Sequence, residues 1–126
     1  MPERVVNFLT GAPPEVIFPI PLETWDDYDL QGEEVLVCEV ARVVNQWGEV
    51  VAEPRERLEC RTIFYQSILG WTGTGIVIPQ DFLERHNVKE GWYLEVFLYS
   101  VKRGEEETPI YPGETVEHEI RKEIRD

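Results

Sequence analysis

A chain of 126 residues supports one domain that buries roughly two thirds of its unfolded surface, and it leaves no room for two ordinary ones. Hydrophobic residues at 42% and charged residues at 29% exclude a disordered chain, a collagen-like repeat and a disulfide-dense miniprotein. Twelve Lys and Arg against 25 Asp and Glu set the formal charge at −13, a field that repels nucleic acid and anionic lipid.

Along the chain, β-branched and aromatic residues predict a strand from Arg4 to Leu9, a turn at Gly11-Ala12-Pro13-Pro14 and a second strand from Glu15 to Phe18. A short helix follows from Pro21 to Asp27, because proline suits a first turn where its missing N–H costs nothing. Glu34 to Val44 reads as a long strand, Asn45-Gln46-Trp47-Gly48 as a turn, and Glu49 to Ala52 as a returning strand. The second half gives the same order. It has a strand over Leu58 to Leu69, a turn over Gly70 to Thr74, a strand over Gly75 to Ile78 and a helix over Gln80 to His86. A strand over Trp92 to Lys102 and a turn at Arg103-Gly104-Glu105 complete it. The C-terminal extension, 104–126, carries Val116, Ile120 and Ile124 four residues apart, which fits a narrow helical stripe or a strand equally.

The order repeats. Val16-Ile17-Phe18-Pro19, Leu22, Gly32 and Val35-Leu36-Val37 run parallel to Ile76-Val77-Ile78-Pro79, Phe82, Gly91 and Leu94-Glu95-Val96. The repeat spans 4–52 and 61–103 within a single domain of residues 1–126. A lone copy buries too little to stand alone, so the two are expected to pair about an approximate two-fold axis with Pro19 on Pro79 and Gly32 on Gly91. The expected fold is mainly β, a small pseudo-two-fold barrel with one short helix per half.

The segment from Gly75 to Val96 has a strand ending in Ile78-Pro79, a short helix, the turn Val88-Lys89-Glu90-Gly91 and an alternating apolar strand. It resembles the AbrB/SpoVT/MazE swapped-hairpin family, and the first half is similar to it more loosely through Phe18-Pro19 and Gly32. In that family two chains interleave such units, so this chain resembles two units fused into one. The resemblance implies binding of DNA through a two-fold face, as in transcriptional regulators, or an antitoxin whose trailing segment grips a toxin. The family's DNA-facing positions are basic. Here the matching regions offer Arg4 in one half and Gln66, Ser67, Trp71 and Thr72 in the other.

The nucleic-acid candidates are therefore Arg4 and the stretch Arg55, Arg57, Arg61, the latter interrupted by Glu56 and Glu59 in the manner of a salt-bridged strand. Trp47 and Trp71 fall in predicted turns, where an exposed ring can anchor a protein partner, whereas Trp92 is expected to plug the barrel. Trp25-Asp26-Asp27-Tyr28-Asp29 lacks the distal bidentate Glu of a calcium loop, Gly70 to Gly75 enters a strand rather than a helix, and Cys38 and Cys60 are too few for a zinc site. No metal or cofactor is called for, and no nucleophile, base and oxyanion set assembles. The two cysteines fit buried thiols or a bridge. No apolar run approaches the ~20 residues of a bilayer span, and Met1-Pro2-Glu3-Arg4 lacks the layout of a secretory signal, so a cytoplasmic, non-membrane protein is expected. The excess of Glu over Asp leans toward a thermophilic source. The leading expectation is a non-catalytic protein-interaction module, with a homo-oligomer as a further state. The alternative is a DNA-binding regulator or antitoxin.

Overall fold

Residues that alternate between the interior and solvent decide the architecture. In a computed structural model that describes residues 3–12, 15–66, 72–89, 91–113 and 116–119, they form ten strands and two short helices. The order is β1 (Glu3–Phe8), β2 (Thr10–Ala12), β3 (Glu15–Pro19), α1 (Leu22–Asp27), β4 (Val35–Val44), β5 (Val50–Ala52) and β6 (Glu56–Gln66). It continues with β7 (Thr72–Val77), α2 (Gln80–Arg85), β8 (Tyr93–Arg103), β9 (Glu106–Pro109) and β10 (Glu117–Glu119). Among the described residues no helix is long and apolar enough to cross a membrane.

The mainly β class is as the sequence predicts, with one short helix in each half. The barrel is not. The strands form one sheet whose hydrogen-bonded path runs β10-β1-β8-β4-β6-β7-β3-β2, with β5 added to β4 and β9 to β8. That path has ends because β2, which follows β1 after Leu9, leaves β8 to pair with β3, while the far edge of β1 takes β10. All ladders are antiparallel except β1 with β10. The segment Glu117–Glu119 is thus a strand, while residues 120–126 lie outside the described residues.

Both helices begin directly after a proline, Pro21 and Pro79, and each is followed by a residue in the left-handed region, Asp29 at φ 52 and Asn87 at φ 54. The sequence alignment of Pro19 with Pro79 is therefore displaced: Pro19 closes β3, and Pro21 holds the place that Pro79 holds. With α1 and α2 as the guide, Leu22 and Gln80 correspond, 58 residues apart. Carrying that spacing along the chain, Gly32 stands one residue out of step with Gly91, though the two intervening loops are equally long.

Two ladders, β1–β8 and β4–β6, have matching registers. Phe8 pairs with Tyr93 as Arg61 pairs with Val35, and Glu3 pairs with Leu98 as Glu56 pairs with Val40. In the long β4–β8 ladder, Val35 faces Lys102 as Val44 faces Tyr93, and the pair Glu39–Phe97 lies at the midpoint. Each of these two strands carries a β-bulge, which leaves Ala41 unpaired in β4 and Tyr99 unpaired in β8. Between them the strands and helices enclose a core in which Phe18, Phe82, Leu36, Ile76, Ile78, Leu94 and Leu98 are fully buried.

Cys38 on β4 and Cys60 on β6 are both fully buried, with their Sγ atoms 3.9 Å apart as free thiols. Their mutual hydrogen bond, followed by burial, pushes the Cys38 thiol well above its ordinary pKa, which keeps that sulfur protonated in the folded chain.

Phe82 is the largest α2 residue in this core and also meets the His86 ring at 4.6 Å. Truncation by Phe82→Ala is expected to cost about 3–5 kcal/mol in urea unfolding, with a loss below ~1 kcal/mol contradicting the packing described.

Candidate partner-binding surface

The face of the sheet turned away from the core presents the outward residues of β1, β8, β4 and β6 in rows. One row reads Arg4, Phe97, Glu39, Arg57 across the four strands. Strand neighbours lie about 4.8 Å apart, so Arg4 and Arg57 stand roughly 14 Å from one another. They belong to one face, yet neither offers a bare positive charge. Arg4 Nε donates to Glu95 Oε2 at 2.5 Å and its guanidinium approaches Glu117 at 3.7 Å. Arg57 stacks over the Tyr99 ring at 4.4 Å. Arg55, in the left-handed region at φ 47, points at Glu39 from 3.9 Å, and Arg61 pairs with Glu15 at 2.8 Å. All four nucleic-acid candidates are thus engaged with a carboxylate or a ring.

Glu95 organises one end of this face. It is 6% exposed and lies between two guanidiniums, because Arg42 Nε also donates to it at 2.5 Å. Burial alone would raise its pKa. The hydrogen bonds from Arg42 and Arg4 outweigh that and hold the carboxyl below the usual range. Arg42 reaches the outer face because the bulge at Ala41 shifts the alternation by one: Val40 and Val43, three residues apart, both point inward.

Beside this charged triad is a hollow of about 230 Å³ lined by Val6, Val44, Gly48, Val50 and Tyr93 together with Arg42 and Glu95. The β4–β5 turn forms its rim. Asn45 Oδ1 accepts the backbone N–H groups of Trp47 and Glu49, each at 3.0 Å, while Asn45 Nδ2 donates to Glu49 Oε1. Gly48 takes φ 83, which closes the turn without strain. A turn held this firmly leaves the Trp47 ring 69% exposed. Val50 and Val51, next along the chain, are also exposed, as is Phe8, whose ring meets Tyr93 edge-on at 6.0 Å.

Trp47 is therefore placed as the sequence predicts, in an outward turn, whereas Trp71 lies outside the described residues. Trp92 is half-buried against the core, and its Nε1 donates to Gln46 Oε1 at 2.7 Å. That bond ties the β4–β5 turn to the start of β8. Sequence reasoning passed over Arg42, Glu95, Phe8 and Val50. An acid set between Leu94 and Val96 was the available signal for Glu95. Nothing local marks Phe8 or Val50 as exposed.

Comparison with family models, with curated proteins and with solved structures finds no match to this chain.

Because Glu95 has a folded pKa below its ordinary value of 4.5, its contribution to stability is complete above that value and disappears as pH falls through the lowered one. Glu95→Gln is expected to reduce the melting temperature at pH 7 and to flatten the acid limb of the stability curve below pH 4.5. A variant whose acid limb parallels that of the parent would remove Glu95 from this role.

Proposed function

We propose that the protein is a non-catalytic binding or regulatory module that captures a protein partner through the Trp47 turn and the hollow beside it. The observation that carries this reading is the Trp47 ring, displayed by a hydrogen-bonded turn whose Gly48 lines a hollow walled by apolar side chains and the Arg42–Glu95 pair. Such a ring binds without paying to order its loop, and a large aromatic in a depression is the commonest anchor of a protein interface. A further part of this reading is two AbrB-like units fused about a pseudo-two-fold axis, and the matching registers of the β1–β8 and β4–β6 ladders support it. Trp71, in the second unit, is a second anchor on this reading.

The alternative, a DNA-binding regulator or antitoxin on the same scaffold, draws on the row that contains Arg4 and Arg57. The acids around them oppose it: Glu95, Glu117, Glu39 and Glu15 neutralise the face where phosphates would sit. Affinity for random duplex DNA near physiological salt is expected to fall below the usual non-specific range of roughly 10⁻⁴ to 10⁻⁶ M. A tight, salt-sensitive shift of unselected duplex would favour the DNA reading instead.

The direct test places a photo-crosslinking amino acid at position 47 in the native cell. A discrete protein adduct is expected, and it should be lost when Phe8→Ala and Val50→Ala are added to empty the surrounding patch. Trp47→Ala should abolish capture while shifting the melting temperature by less than the cost of a core aromatic, about 3–5 kcal/mol. Crosslinks to nucleic acid, or global destabilisation by Trp47→Ala, would overturn the proposal.

A further inference from the structure

The two halves differ at one edge. On β1 the side away from β8 holds β10, which pairs with Arg4, Val5 and Val6, and Arg4 N–H donates to Val116 O at 2.8 Å. The corresponding residues of β6 are Arg57, Leu58 and Glu59. They pair with β4 on one side, and among the described residues no strand pairs with their other side. Burial follows this difference: Val6 is buried and Arg4 half-buried, while Arg57 and Glu59 are exposed.

We propose that this edge of β6 binds the same edge of a second copy of the chain, antiparallel, with Leu58 facing Leu58 of the other copy. The direction of the backbone groups limits the choice. Thr62 N–H donates to Glu34 O on the β4 side, and donors alternate along a strand, so the N–H groups of Arg57 and Glu59 point away from β4. A self-pairing must therefore match odd-numbered residues with odd. Centred on Glu59, it sets Glu59 against Glu59 once and Arg57 against Arg61 twice, so every directly opposed charge in the ladder is like. Centred on Cys60, it brings Arg57 onto Ile63, whose outer side already pairs with Gly75 of β7. Centred on Leu58, it sets Arg57 against Glu59 twice and stays within the unpaired stretch. Opposite charges directly across an antiparallel pair stabilise it, and like charges oppose it.

Within one chain, Arg57 lies over Tyr99 and Glu59 accepts from Lys102 Nζ at 3.1 Å, which holds both side chains upright on the outer face. Leu58 belongs to the core cluster but is the most exposed of its members at 9%, as expected of an apolar residue at a seam. The companion slot on β1 shows that a strand fits there. Edge-to-edge addition of this kind draws its affinity from backbone bonds and its register from the side chains.

Sedimentation equilibrium across a concentration series is expected to show a reversible dimer of twice the 14.7 kDa chain mass. Arg57→Glu and Glu59→Arg should each give a monomer, and mixing the two variants should restore a dimer, since each then supplies what the other lacks. Glu59→Pro, which removes the outward N–H together with the carboxylate that faces Arg57, should also give a monomer with an unchanged circular dichroism spectrum. Trp47→Ala should remain dimeric, which separates this surface from the proposed partner surface. A parent chain that stays monomeric at every concentration overturns the proposal. So do charge variants that stay dimeric, a mixture that stays monomeric, or loss of the dimer in Trp47→Ala.

Discussion

The β4–β8 ladder is the constraint on which the rest of the molecule depends. It is the one ladder that joins the two long strands of the two halves, and every other strand in that part of the sheet takes its position from one of them: β6 and β5 from β4, β1 and β9 from β8. Its two bulges set what each face shows. Without the extra residue at Ala41, strict alternation would send Arg42 into a core already filled by Leu36, Val40 and Val43. With it, Arg42 emerges beside Glu95, and the pair of guanidiniums on one buried carboxylate becomes possible. A single unpaired alanine thus converts a continuous apolar strand into one that serves both the interior and a charged surface.

A second acid performs the parallel task in the α1–β4 connection. The Glu34 carboxylate accepts the backbone N–H groups of Gln31, Gly32 and Glu33 and the Thr62 hydroxyl. Burial works against its charge, and these hydrogen bonds more than offset it, keeping the carboxyl below its ordinary pKa. The loop is fixed from within, and Gly32 takes φ 89, a left-handed conformation open to it because glycine carries no Cβ. The net charge of −13 hides this arrangement. Several of the negative charges are structural, spent on guanidiniums and amides, rather than displayed to a ligand.

Strands β1 and β3 to β8 and both helices were legible in the sequence, because apolar alternation and the Pro that opens each helix are local signals, whereas β2 falls where Gly11 and Ala12 read as a turn and β9 lies in what read as an extension. The alignment of the halves was not, since Ile-Pro and Phe-Pro look alike in sequence while only Pro21 and Pro79 open helices. Gly73 misled in the same way. It reads as a turn but belongs to β7, where the Tyr65 ring lies within 2.6 Å of the place its Cβ would occupy, while Gly75, read as a strand residue, is crowded by the β3 backbone. Glycine there answers to a neighbour across the sheet, which no local pattern reveals. Trp47 was legible because a turn and an aromatic are adjacent in sequence. The hollow beside it was not, because its lining comes from β1, β4, β5 and β8.

The ladder between β1 and β8 has a consequence for how the chain is made. Glu3 pairs with Leu98 and Phe8 with Tyr93, so β1 leaves the ribosome long before its partner β8 has been synthesised. The hairpins β2–β3 and β6–β7 can form early, but the β4–β8 ladder that joins the two halves is also non-local in sequence. Non-local pairings of this kind make folding slow, since loop entropy is lost before the contacts reward it. During translation β1 therefore waits without β8, and the like charge of acidic chains opposes pairing between nascent copies in that interval.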